Sequence, residues 1–283
     1  MRKFKPFSLN LKGELVEITR PQVMGILNIT PDSFYGCSRS FDTNAISRRI
    51  DEMITEGVDI IDIGGYSSRP GADDVSSQEE IQRLEMAMNI IHQKNINTPI
   101  SVDTFRADVA KHAIATLGAH IINDISAGLL DNAMIETVAQ LKVPYIAMHM
   151  RGTPATMNNC TNYNNITADV IYELSERINR LTLAGVNDII IDPGFGFAKT
   201  LEQNYELLHN LEHLHELGYP LLVGVSRKSM IYKALNTIPD NALNGTTIVN
   251  TIALQAGAAI LRVHDIKEAH EAIKLTQLTN NQI

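Results

Sequence analysis

Eight short runs of apolar, mostly β-branched residues recur along the chain, and they constrain its fold more than any other feature. They cover residues 23–27, 58–63, 99–102, 120–122, 143–148, 188–191, 220–225 and 258–263. Each run is continuous rather than alternating, the pattern of parallel strands whose outer side is covered by helices. Between them lie segments of helical period: 43–56, 77–94, 106–117, 132–141, 167–184, 201–217, 245–256 and about 266–277. In the first of these, Ile46, Ile50, Met53 and Ile54 form an apolar stripe. The second opens with Ser76, Ser77, Glu79 and Glu80, which resembles a capping box. Five helices run into a glycine just before the next strand, at Gly57, Gly118, Gly185, Gly218 and Gly257. Glycine takes the left-handed C-cap at such a corner and lets the chain turn into the sheet.

Strict alternation of strand and helix over roughly 250 residues requires a parallel sheet, and eight units of this length predict a closed (β/α)8 TIM barrel, an α/β fold. An open doubly wound sheet is the alternative, but no Gly-rich dinucleotide fingerprint follows the first run. The first twenty residues, with Leu11-Lys12-Gly13-Glu14 as a turn, read as a short N-terminal hairpin flooring the barrel. No linker is visible, so one domain is expected over residues 1–283.

Composition narrows the class. The net charge of −8 argues against general nucleic-acid binding, though not against a small anionic substrate held by a few local cations. No apolar stretch approaches the roughly 20 residues of a membrane helix, and Met1-Arg2-Lys3-Phe4-Lys5-Pro6 lacks the apolar core of a signal peptide. Only Cys37 and Cys160 occur, in loop-like sequence, so neither a disulfide framework nor a Cys-based zinc site is indicated. A cytoplasmic protein, without nucleic-acid or membrane partners, is expected.

The chemistry lies where the runs stop. Their carboxyl ends carry Asn28, Asp62, Asp103, Asn123 with Asp124, His149 with Arg151, Asp192, the turn Ser226-Arg227-Lys228-Ser229, and Arg262 with His264. In a barrel all these ends share one face. Asp103, Asn123 and Asp192 have no cationic neighbours in sequence; facing inward, they suit a neutral, donor-rich heterocycle. Asp103 is equally placed to cap the next helix. Arg262 and His264 are two apart and point the same way; with Arg69 and Asn28 they suit an anion, against the plainer reading of a surface Arg and a core His. Lys228 opens a helix where backbone N–H groups also favour anions, or belongs to a solvated charge run. His149 and Arg151 read equally well as structural. His209, His213 and His215 lie on a solvent-facing helix and do not read as metal ligands. Any Mg2+ would be held mostly by substrate phosphate and water.

These segments resemble a known family. Met24-Gly25-Ile26-Leu27-Asn28-Ile29-Thr30-Pro31-Asp32-Ser33-Phe34 is similar to the first signature of the dihydropteroate synthases, and Asp62-Ile63-Gly64-Gly65-Tyr66-Ser67-Ser68-Arg69-Pro70-Gly71-Ala72 to the second. Ser101-Val102-Asp103-Thr104, Ile122-Asn123-Asp124, Met148-His149-Met150, Asp192-Pro193-Gly194-Phe195-Gly196-Phe197, Val225-Ser226-Arg227-Lys228-Ser229 and Arg262-Val263-His264-Asp265 follow in the family's order. The resemblance implies condensation of 6-hydroxymethyl-7,8-dihydropterin diphosphate with 4-aminobenzoate to 7,8-dihydropteroate and diphosphate, in folate biosynthesis. It implies a pterin site of Asp103, Asn123, Ile125, Met148, Asp192, Gly224 and Lys228. It places Asn28, Arg69, Arg262 and His264 at the diphosphate, Mg2+ at Asn28, and Phe34, Ser68, Pro70, Phe197 and Ser229 at the aminobenzoate. Asp192, Lys228, Arg262, His264 and Asn28 are then the catalytic set, the path is SN1-like, and the family is a sulfonamide target. It also implies a homodimer through the later helices, where Ala269, Ala272, Ile273 and Leu275 form an apolar face that equally suits covering the barrel.

Two segments depart from the family pattern. Tyr35-Gly36-Cys37-Ser38 stands where Ser-Asp-Gly-Gly is usual, and Tyr66 and Ser68 stand for Glu and Thr. Both fall in loops expected to close over the aminobenzoate. A pterin-binding methyltransferase domain and a catalytically silent pterin-binding homologue are the competing readings; Thr30–Phe34, Lys228, Arg262 and His264 speak for the synthase.

Overall fold

The computed structural model describes residues 4–30, 43–67 and 75–279. Two antiparallel strands come first, β1 (Phe7–Leu11) and β2 (Glu14–Ile18). Their two-residue turn uses Lys12 and Gly13, both at positive φ, as the twist of a tight hairpin requires. Then follow β3 (Gln22–Asn28), α1 (Thr43–Thr55), β4 (Ile60–Gly64), α2 (Ser77–Gln93), β5 (Ile100–Asp103), α3 (Ala107–Ala115), β6 (Ile121–Asp124), α4 (Met134–Leu141) and β7 (Tyr145–Met148). The rest comprises α5 (Ile166–Leu183), β8 (Ile189–Asp192), α6 (Leu201–His209), β9 (Leu222–Val223), α7 (Ser229–Ala234), α8 (Leu243–Gln255), β10 (Ile260–Val263) and α9 (Ile266–Thr279).

The order β8-β7-β6-β5-β4-β3-β10-β9 is parallel at every described pairing, and a bridge between Ile191 and Leu221 joins its ends. The TIM barrel read from the sequence is thus the fold. All five glycines that follow helices have positive φ, between 78° and 94°. Ser76 caps α2 by accepting the Glu79 N–H at 3.2 Å.

Side chains alternate between two apolar layers. Val23, Leu27, Ile61, Ile63, Val102, Ile122, Ala147, Ile191 and Val263 face the helices. Met24, Ile60, Ile121, Ile146, Ile190, Leu222 and Ile260 fill the lower barrel, sealed by Leu9 and Ile18 of the hairpin with Phe7 beside them. Further along the strands the same inward face reaches the mouth, and there it turns polar at Asp62, Asp103, Asn123, Asp192 and Arg262.

Most boundaries shift by a residue or two from the sequence reading, and three differences are instructive. The segment 201–217 is not one helix: α6 stops at Asn210, whose side-chain N–H donates to Glu206 O at 3.1 Å, and Leu211–Leu217 continues as a 3-10 helix. Its buried Leu211 and Leu214, three apart, match the three-residue turn of that helix. The seventh barrel strand is only Leu222–Val223 rather than 220–225. The fourth starts at Ile121 and runs on to Asp124.

Candidate active site

Because inward positions repeat every second residue, the rows above the lower core are Asn28, Asp62, Gly64, Asp103, Asn123, Met148, Asp192, Gly224 and Arg262. Arg262 organises them. Its Nε donates to Asp62 Oδ2 at 2.6 Å and an Nη donates to Asp103 Oδ2 at 2.7 Å. Asn123 Nδ2 donates to the same Asp62 oxygen at 3.2 Å. Asp62 is fully buried, and its other carboxylate oxygen has no partner. Burial pushes the Asp103 carboxyl up, the Arg262 cation opposes this, and the Asp62 charge adds to the rise. Burial works against the Arg262 cation, but the charges of Asp62 and Asp103 outweigh it and hold the guanidinium protonated.

Asp103 does not cap α3, whose N-cap is Arg106 without a side-chain capping bond. The sequence set Asp103 among acceptors without cationic neighbours; the fold brings it a guanidinium from 159 residues away.

Asp192 ends β8, and its Oδ1 accepts the Gly194 N–H at 2.7 Å. Burial raises its carboxyl, opposed first by Lys228. Burial lowers the Lys228 ammonium to about 8, against the pull of Asp192. Lys228 Nζ donates to Phe195 O at 2.6 Å and lies 4.8 Å from the Phe197 ring centroid. Gly224 leaves room here: a Cβ there would stand 3.7 Å from Arg262 Cβ and 3.9 Å from Asp192 Oδ2. Ile125 and Met148 meet in an apolar cluster with Met150, Met157 and Ala198, against which Phe105 and Phe197 pack.

His264 points its Nδ1 at Ser226 Oγ, 3.1 Å away. Ser226 Oγ also accepts the His264 backbone N–H at 3.1 Å, and with one hydrogen and two lone pairs it can pair with either neutral tautomer of the ring. Burial, then the Arg262 charge, lowers His264 to about 4. The ring is therefore a neutral donor at pH 7, not a second cation beside Arg262. Asn28 ends β3 opposite Gly64, and a Cβ on Gly64 would lie only 3.2 Å from its side-chain oxygen. Ser229, half-buried, begins α7. Phe34, Ser68, Arg69 and Pro70, and the departures at 35–38 and Ser68, lie outside the described residues.

Tyr66 sits edge-on to Phe105, ring centroids 5.1 Å apart, with the Arg106 guanidinium 5.1 Å from the first ring and 4.9 Å from the second. Where the resembling family carries an acid, this chain offers an aromatic face to the cation.

Sequence reading left Asp62 without a role and took His149 and Arg151 as equally structural. Asp62 anchors Arg262 and Asn123. His149 and Arg151 both bind Glu173 of α5. Lys199 went unremarked, although a lysine between an apolar turn and the capping Thr200 was a signal that it had work inside the fold. Among the described residues no group of three or more His, Cys, Asp or Glu is arranged to hold a metal ion.

The family model described as pterin binding enzyme matches residues 24–264. The chain is 41% identical over 275 residues to a dihydropteroate synthase of Haemophilus influenzae, covering 96% of this chain and 99% of that protein. It superimposes on a Yersinia pestis dihydropteroate synthase solved as a sulfonamide complex with a TM-score of 0.89 and 38% identity, over 98% of this chain and 100% of that one. A Xanthomonas albilineans dihydropteroate synthase solved with 7,8-dihydropteroate gives a TM-score of 0.85 and 34% identity, over 96% and 98%. The pattern of strand ends, the barrel and near-full-length likeness agree, and the chain belongs to the dihydropteroate synthase family of pterin-binding enzymes.

Proposed function

We propose that the barrel mouth divides the family's reaction, joining 4-aminobenzoate to 6-hydroxymethyl-7,8-dihydropterin diphosphate, among the residues just described. The observation that carries this is the inward polar row: Asp103, Asn123 and Asp192 as acceptors on one side of the Met148 and Ile125 wall, and Lys228 and Arg262 as cations beside them. The carboxylates and Asn123 receive the pterin's N–H groups. Lys228 and Gly224 border the ring. Arg262 and the His264 ring face the diphosphate, joined by Arg69 and Asn28. Phe197 and Ser229, with Phe34, Ser68 and Pro70, hold the aminobenzoate.

The bond from the pterin methylene to the diphosphate oxygen breaks first, and its electron pair leaves with diphosphate. The growing negative charge is met by donors already in place, whose value rises in a site withdrawn from water. The pterin ring spreads the positive charge, and Asp192 stabilises it electrostatically. The neutral aniline nitrogen then attacks the methylene carbon and sheds a proton to solvent, so no strong base and no covalent enzyme intermediate are needed.

Mg2+ fits this site as a substrate-borne ion. Asn28 offers one neutral oxygen, Gly64 leaves that oxygen room, and hard divalent cations accept such a donor beside phosphate and water. Bound there, it neutralises diphosphate charge.

A homodimer and a cytoplasmic location complete the reading. Ala269, Ala272 and Ile273 are buried against the barrel, so they do not support the apolar dimer face; Leu275 is exposed, as are Ile248 and Ile252 of α8, which packs on α9. Those three support association through α8 and α9, checked by sedimentation equilibrium. No helix of the described residues is long and apolar enough to cross a membrane; cell fractionation tests the location.

Incubation with the pterin diphosphate, Mg2+ and aminobenzoate is expected to yield dihydropteroate. Absence of product with normal pterin binding would sink the proposal.

A further inference from the structure

Behind the wall that carries Phe195 and Phe197 stands a polar column that the reaction as described does not use. Lys199 Nζ donates to Gly194 O at 2.9 Å and to Phe197 O at 3.0 Å. Its third hydrogen meets His149 Nδ1 at 3.1 Å. Burial pushes the Lys199 amine well below the ordinary lysine range, opposed first by Asp192. The three acceptors around its nitrogen nevertheless match the three hydrogens of an ammonium, so Lys199 is fully engaged and has none left for a substrate. His149 is fully buried, and its Nε2 lies 3.1 Å from Glu173 Oε2. With Nδ1 accepting from Lys199, the ring proton belongs on Nε2 and is donated to the carboxylate. Burial, then the Lys199 charge, lowers His149 to about 3 and keeps it neutral. Glu173 is drawn to about 2: its bonds to His149 and Arg151 outweigh its own burial. Carboxylate, neutral imidazole and ammonium therefore run in series from α5 to the loop after β8.

The same loop is held from its other side. Lys228 donates to Phe195 O at 2.6 Å. The carbonyls of Gly194, Phe195 and Phe197 are thus gripped by two ammonium groups, one behind the wall and one in the site. The loop also lies hard against the end of β7: Gly194 has φ +69°, and a Cβ there would stand 1.9 Å from His149 O. By holding the Phe197 carbonyl, Lys199 fixes the backbone from which that ring projects.

We propose that Lys199, backed by His149 and Glu173, is a positioning residue for the aminobenzoate side of the reaction. It sets the 194–197 loop so that the Phe197 ring walls that substrate and the Phe195 carbonyl seats Lys228. This rests on the assignment of Phe197 to the aminobenzoate pocket made above. Asp103 and Asn123 are on β5 and β6, away from this loop, so the pterin keeps two of its three acceptors when Lys199 is lost; the third, Asp192, meets the loop through the Gly194 N–H.

The test is steady-state kinetics of Lys199→Met and Glu173→Gln beside the unaltered enzyme, varying each substrate at saturation of the other, with thermal unfolding of each variant. Glu173→Gln keeps side-chain shape at a half-buried position and serves if Lys199→Met does not fold. The KM for aminobenzoate is expected to rise roughly tenfold in Lys199→Met, the scale of one charge-assisted hydrogen bond, and by a smaller factor in Glu173→Gln. The KM for the pterin diphosphate should rise by a clearly smaller factor, because Asp103 and Asn123 are untouched and only Asp192 and Lys228 meet the loop, at Gly194 and Phe195. Equal rises in both KM values, or lower melting temperatures with both KM values unchanged, overturn the inference. Lack of turnover in the unaltered enzyme overturns the site assignment beneath it.

Discussion

Arg262 and Asp103 face each other across the barrel mouth in a 2.7 Å ion pair, although three strand-to-strand steps separate β10 from β5. The group assigned to diphosphate and the group assigned to pterin are therefore partners in the protein alone. Asp103→Asn removes one charge from that pair and one acceptor from the pterin site. Pterin binding should weaken roughly tenfold to a hundredfold, read by isothermal titration.

Arg262→Ala leaves the Asp62 carboxylate buried without its cation. Breaking such a pair costs about 3–5 kcal/mol. Urea unfolding should show that loss, and turnover should fall with it. Arg262→Lys keeps a charge but cannot reach both carboxylates in the same fork, so it should recover stability more than turnover.

Gly194→Ala places a methyl group where His149 O already sits, on a backbone at positive φ. A loss of about 2 kcal/mol or more is expected from strain and displacement together. Chemical denaturation checks the stability.

Two buried histidines should cost the fold stability in mild acid. His149 and His264 are lowered by burial to about 3 and about 4, from an ordinary 6.5. Between those values and 6.5 the unfolded chain binds protons that the native fold refuses, so stability is present above about pH 6.5 and is lost as pH falls toward 4. Asp103, raised by burial to about 7, works in the opposite sense over this range, so the histidines lower the denaturant midpoint at pH 5 relative to pH 7 by less than they would alone. His149→Gln should shrink the difference, even if it lowers both midpoints.

A dissociative path predicts positional isotope exchange in the diphosphate of the pterin substrate when aminobenzoate is absent. Bridging 18O should scramble to non-bridging positions, detectable by 31P NMR. Retention of the label would mean that the two substrates react in one concerted displacement.

The barrel was readable because its strands are buried on both sides and its corners are glycine. Those are local signals: Val23, Ile61 and Ile122 declare burial by type, and Gly118 or Gly257 declares a left-handed corner. The polar row was readable for a geometric reason, since parallel strands put every carboxyl end on one face. Asp62 and Lys199 were not readable in the same way. What they do depends on partners at Arg262, and at Gly194 and His149, and no period along the chain relates such positions. The end of α6 at Asn210 was missed because the leucines that follow suit either a three-residue or a 3.6-residue turn. His264 stands beside Arg262, but burial and then that cation lower its pKa, and only packing sets burial.

One strand of this barrel, β10, carries Ile260 low in the interior and Arg262 at its mouth, on the same inward face. Ile260 belongs to the plugged lower core and Arg262 to the ionic cross-brace. Stability and chemistry are thus written in successive rows of one element rather than in separate parts of the molecule. A redesign that replaced only the upper row would inherit the apolar lower core, and would have to replace Arg262 and its carboxylates together. A single-residue deletion low in β10 would instead rotate Arg262 outward among the helices and bring its apolar neighbours into the mouth, ending both at once.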